Sequence, residues 1–146
     1  MLRKLFGRST SSPTPNSRRV NEALSQLVLG IPAILRATLV TSTGLARGSF
    51  PQQVVEDHIS AMSAAIMSLG ERICGELGSG DMRYAIIAGA KTVQLLIVLS
   101  ADYALELELR PNVSMDETLG AVWESVKPLL QAIGLPDGKT WEDNQR

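Results

Sequence analysis

Between Val54 and Leu77 the sequence places Val55, Ile59, Met62, Ile66, Leu69, Ile73 and Leu77 at steps of three and four residues. That spacing returns to one side of a helix on every turn, so the segment predicts a single helix of about six turns with a continuous apolar stripe. A second line of small residues, Ala61, Ala65 and Ser68, runs beside the stripe and lets another backbone approach closely. Gly70 and Gly75 sit in the same helix. Each costs it about 1 kcal/mol relative to alanine, so the helix needs packing that compensates.

The remaining periodicities surround this helix with strands. Upstream, Val20, Leu24, Leu27, Val28 and Ile31 repeat at helical steps, with Ser17 as the expected N-cap and Gly30-Ile31-Pro32 as the stop. Ile34 to Val40 and Leu45 to Phe50 read as two strands joined through Thr41-Ser42-Thr43-Gly44, and Pro51 ends the second. Downstream, Gly78-Ser79-Gly80-Asp81 breaks the long helix, and strands are expected at Met82 to Gly89, Thr92 to Leu99 and Tyr103 to Arg110. The middle one is apolar on both faces and is expected to lie centrally, covered on both sides. The last alternates strictly, with Glu106 and Glu108 on the face opposite Leu105 and Leu107, and those carboxylates are expected to be solvated. A capping box, Ser114-Met115-Asp116-Glu117, opens a final helix, which Pro128 kinks or divides and Gly134-Leu135-Pro136 ends. The order helix, two strands, helix, three strands, helix describes an α+β sandwich around a five-stranded, mainly antiparallel sheet.

Composition narrows the chemistry. Of 146 residues, 45% are hydrophobic and 20% charged, which suits one compact domain with a core. One cysteine, Cys74, excludes a disulfide framework and a cysteine-based metal site within one chain, and reads as a small buried hydrophobe. The longest apolar runs, such as Leu95 to Leu99, fall far short of the roughly 20 residues that span a bilayer. The formal net charge of -1 hides an asymmetry: the first nineteen residues hold Arg3, Lys4, Arg8, Arg18 and Arg19 and no acid, leaving a net acidic body. Such a body is a poor nucleic-acid binder. Gly7 to Ser17 reads as a linker, so residues 1–17 form a flexible basic leader, 18–134 the domain and 135–146 a polar tail. Leu2, Arg3, Lys4, Leu5 and Phe6 are membrane-contact candidates, because a short segment with one apolar and one basic side attaches weakly to anionic lipid; the competing reading is a solvated leader. Without the apolar h-region of a signal peptide, the expected location is cytoplasmic, with peripheral attachment at the inner membrane face through the leader.

No motif amounts to a catalytic mechanism. The glycines of Gly75 to Asp81 follow a helix and precede a strand, the reverse of a phosphate cradle, and read as a helix stop. Gly44 and Gly48 read as turn and close-approach glycines. The single histidine, His58, has no serine–acid or cysteine partner at a recognisable spacing. Glu56 and Asp57 are neighbours on a helix, point different ways, and read as favourable charge near its start. No enzyme activity, cofactor or metal is expected.

The order of elements and their local wording resemble the roadblock / dynein light-chain family, including bacterial MglB-like regulators. The likeness runs from about Ala33 to Pro111: Thr38-Leu39-Val40-Thr41-Ser42-Thr43-Gly44-Leu45-Ala46, then Ile59-Ser60-Ala61-Met62-Ser63-Ala64-Ala65-Ile66 through Leu77, then Met82-Arg83-Tyr84-Ala85-Ile86-Ile87 and Leu95-Leu96-Ile97-Val98-Leu99. Phe50-Pro51, the basic leader and Pro128 depart from the pattern. The resemblance implies a profilin-like sandwich with helices on both faces. It further implies a homodimer in which the third strands pair and the long helices pack together. Ala61, Ala65, Ser68, Met82, Arg83, Tyr84, Ala85 and Ile86 are its dimer-interface candidates; the alternative is that the small residues rest on the chain's own sheet. The implied role is a non-catalytic regulator or scaffold that binds a small Ras-like GTPase and stimulates its hydrolysis, with His58, Met62 and Arg72 as docking candidates. Arg47, Arg72 and Arg83 are available as an inserted arginine, though an ordinary surface role explains each of them. A dimeric, light-chain-like adaptor bridging larger proteins is the alternative.

Overall fold

A computed structural model describes residues 16–52 and 56–135. The elements, in chain order, are α1 (Ser17–Gly30), β1 (Ile34–Thr41), β2 (Ala46–Phe50), α2 (Glu56–Leu77), β3 (Tyr84–Ala88), β4 (Val93–Val98), β5 (Tyr103–Leu109), α3 (Met115–Ser125) and α4 (Lys127–Ala132). Asn16, rather than Ser17, caps α1: its side chain accepts hydrogen bonds from the Arg18 and Arg19 amides. Both residue types cap well, and the amide oxygen one position earlier reaches the first free N–H groups. Ser114 caps α3 by accepting from the Glu117 amide at 3.3 Å. The last helical segment is divided at Val126, with Pro128 in the opening turn of α4, where the missing N–H costs nothing.

The five strands form one antiparallel sheet in the order β2-β1-β5-β4-β3. The centre is therefore β5, not β4, which lies one position from the β3 edge. Hydropathy placed β4 in the middle because both its faces are apolar, and Leu95, Leu96 and Ile97 are indeed all buried. Burial on two faces does not require the central position.

The two faces of the sheet are covered unequally. On one, α1, α3 and α4 seal a large core that includes Leu24, Leu27, Leu39, Leu105, Leu107 and Leu129. On the other, α2 alone covers a small cluster of Val40, Met67, Met82, Leu96 and Ala104. Gly48 sets the fit of α1 on β2. A Cβ there would stand 2.7 Å from Asn21 Oδ1 and 2.9 Å from Val20 Cγ1. Gly48→Val is expected to lower unfolding stability by about 2 kcal/mol through overpacking, seen as a lower urea midpoint at unchanged slope. An unchanged midpoint would mean that α1 can ride outward freely.

Candidate functional site

The site begins with the way α2 lies on the sheet. Its buried residues are Ser60, Ser63 and Met67, a line of mostly small side chains that brings the helix close to the strands beneath. Ser60 Oγ donates to the Asp57 carbonyl at 3.1 Å, so burial leaves that hydroxyl satisfied. Gly70 continues the close approach: a Cβ there would lie 2.0 Å from the Met82 sulfur. The helix rests against β1 and β2, and the β1–β2 turn at Gly44 approaches Ala61 and Ala64.

This line is not the apolar stripe. At 100° per residue, Met62, Leu69, Ile73 and Leu77 are offset by about a third of a turn from Ser60, Ser63 and Met67. Met62 borders β3 and β4, and the other three project to solvent. Leu69 is 60% exposed and Leu77 74% exposed. Ile86 and Ile87 of β3 are exposed as well, and β3 is an edge of the sheet. Of the nine large hydrophobic residues exposed among the described residues, seven belong to α2 or β3. Scattered exposed apolar side chains are ordinary, but seven concentrated on one helix and the adjoining edge strand, Ile87 on the α2 face and Ile86 on the other, mark a surface suited to being covered.

Between stripe and edge runs an apolar groove of about 230 Å³. Ile59, Met62, Ser63 and Ile66 of α2 form one side, Ala85 and Ile87 of β3 with Leu96 of β4 the other, and Glu106 reaches it from β5. Glu106 is only 7% exposed, contrary to the expectation of a solvated carboxylate. Its strand is central and α2 roofs that face, two facts that the alternation of a single strand cannot reveal. Burial pushes its carboxyl up to about 7, the neighbouring Glu108 charge adds to the rise, and Arg36 opposes it. Arg36 lies across from Glu108 in the β1–β5 register. It donates from Nη1 to the Pro51 carbonyl, while its buried Nε has no hydrogen-bond partner among the described residues. Thr38, directly opposite Glu106, hydrogen-bonds Ser49 at 3.1 Å instead.

The residues singled out by sequence divide accordingly. Ala61, Ala65 and Ser68, with His58, Met62 and Arg72, are exposed on α2, and Tyr84 and Ile86 are exposed on β3. Arg83 and Ala85 are half-buried. Met82 lies inside, its sulfur filling the space at Gly70 just before β3 begins, so its side chain forms no part of the open surface. Leu2, Arg3, Lys4, Leu5 and Phe6, together with Val54 and Val55, fall outside the described residues. Cys74 is half-buried against the small cluster. Among the described residues no three of His, Cys, Asp or Glu gather to hold a metal ion, and no helix is long and apolar enough to cross a membrane. Sequence reasoning missed Glu106, Ile87 and the exposure of Leu69, Ile73 and Leu77. The available cue was a further line at Ser60, Ser63 and Met67, distinct from the small residues Ala61, Ala65 and Ser68, whose two serines let the helix lie close to the sheet.

The sequence profile of the Roadblock/LC7 domain matches residues 20–105. No curated protein matches the sequence. Among solved structures, a Roadblock/LC7 domain from Streptomyces avermitilis is 21% identical with a TM-score of 0.66, over 76% of this chain and 97% of that one. MglB from Myxococcus xanthus is 14% identical with a TM-score of 0.68, over 77% of this chain and 93% of its own. An MglB structure with a tetrameric arrangement is 13% identical with a TM-score of 0.69, over 80% and 89%. At such identities the likeness is one of fold, and profilins share it.

Proposed function

The chain belongs to the Roadblock/LC7 domain family, and from that premise we propose that it is a homodimeric regulator that binds a small Ras-like GTPase and promotes its GTP hydrolysis. The observation that supports this most is the uncovered apolar surface joining the α2 stripe to the β3 edge. A twofold axis beside such a surface makes it self-complementary: edge strand pairs with edge strand while stripe meets stripe. Ala61, Ala65 and Ser68 border the stripe and let the two helices approach. The MglB relative with a tetrameric arrangement supports self-association as a habit of this fold.

In this reading the nucleotide chemistry belongs to the partner. The paired helices offer His58, Met62 and Arg72 as a docking face, and hydrolysis speeds up because docking holds the partner's switch segments in the productive arrangement. The test uses the full chain and a small Ras-like GTPase from the same genome, loaded with GTP, with phosphate release followed over time. Faster release on adding the chain supports the regulator. Binding without acceleration supports the adaptor, and the absence of binding to either nucleotide state removes the GTPase reading.

A further inference from the structure

Glu106 has no part in the reading above, yet it occupies the groove at the junction of the two surfaces that pairing would join. Met62 and Ile87, which line opposite sides of that groove, are themselves exposed. A second copy laid along the stripe and the β3 edge therefore closes the groove over a carboxyl group that already has little water. The groups facing it are few. Arg36 from β1 and Glu108 from its own strand are charged, Gln94 from β4 is neutral, and α2 contributes Ile59, Met62, Ser63 and Ile66, none of which titrates. Arg36 opposes the rise, but its Nη1 is given to the Pro51 carbonyl, and burial together with the Glu108 charge outweighs it, so among the described residues a Glu106 carboxylate sealed in the groove is incompletely compensated.

We infer that association of two copies is linked to protonation of Glu106, each copy trapping its carboxyl as the neutral acid when the groove closes. This rests on the pairing reading and concerns how that interface is regulated. The direction follows from solvation. Removing the remaining water penalises the charged form, so the paired state binds the proton more tightly than the free state. Pairing is then strongest in mildly acidic solution and weakens as pH rises through neutrality, where the free copy gives up a proton that the pair would retain. With two such groups per pair, the dissociation constant can rise by up to about a hundredfold per pH unit.

Sedimentation equilibrium of the full chain at pH 6.0, 7.0 and 8.5, beside E106Q, reads the effect. The parent is expected to dissociate at least about tenfold more readily at pH 8.5 than at pH 6.0. E106Q, neutral at every pH, is expected to stay paired at pH 8.5. Any slope contributed by other groups survives in E106Q and is read there directly. Equal slopes in the two proteins overturn the linkage and leave pairing intact. A single-copy mass for both proteins at every pH overturns pairing and the linkage with it. Should E106Q fail to fold, calorimetric dilution of the parent in phosphate and in Tris decides: dilution heats that differ between the buffers reveal released protons, and equal heats overturn the inference.

Discussion

Urea unfolding at pH 8, at concentrations low enough to keep the chain unpaired, should find E106Q more stable than the parent by about 3 kcal/mol, with parity at pH 4. The reason is the cost of an ion under α2. The carboxyl titrates at about 7 when folded against 4.5 in its ordinary setting, and each unit is worth about 1.4 kcal/mol. Below the ordinary value both folded and unfolded chains hold the proton, and no cost arises. As pH climbs from there to neutrality, the folded chain holds more protons than the unfolded one, so stability falls over that interval and levels off above it. Glutamine fills the same space without the charge and escapes the decline. Parity at pH 8 would show that the carboxylate finds water or a cation in solution.

Leu69→Asp combined with Ile73→Asp is the second large effect. Both side chains are exposed, so the folded chain loses little, and unfolding stability should change by no more than about 1 kcal/mol. Paired against a copy of itself, the same stripe would bury uncompensated charges costing about 3–5 kcal/mol each. The dissociation constant should then weaken by more than about a hundredfold, and light scattering should report a single-copy mass where the parent shows twice that. A pair that survives both aspartates would place the contact on another surface. Leu24→Asp gives the contrast: that residue of α1 is fully buried in the large core, and its replacement should unfold the chain rather than separate copies.

Most of the fold was legible because its elements carry local signals. The steps from Val20 to Ile31 gave α1, Gly44 with its positive φ marked the first turn, and Pro128 divided the last helix. What local patterns could not convey was which neighbour each face meets. The α2 stripe is strongly periodic, but periodicity alone does not say what the stripe meets. The sheet instead takes Ser60, Ser63 and Met67, because small side chains allow the shorter helix-to-sheet distance. Glu106 misled for a related reason. Alternation along β5 separated two faces correctly, but only the strand order and the roof of α2 make the polar face an interior one. Met82 likewise read as the start of an edge strand, whereas the gap left by Gly70 draws it inward.

The unequal covering of the sheet separates two burdens that most small domains carry on the same residues. The side closed by α1, α3 and α4 holds the extensive interior on which folding depends, while the outward side of α2 contributes little to it. Substitutions along that outward side can therefore accumulate with slight thermodynamic penalty. Duplicated copies of such a chain could drift apart in whom they join while remaining equally foldable, and a handful of changes on one helix would suffice to keep two sister proteins from mixing.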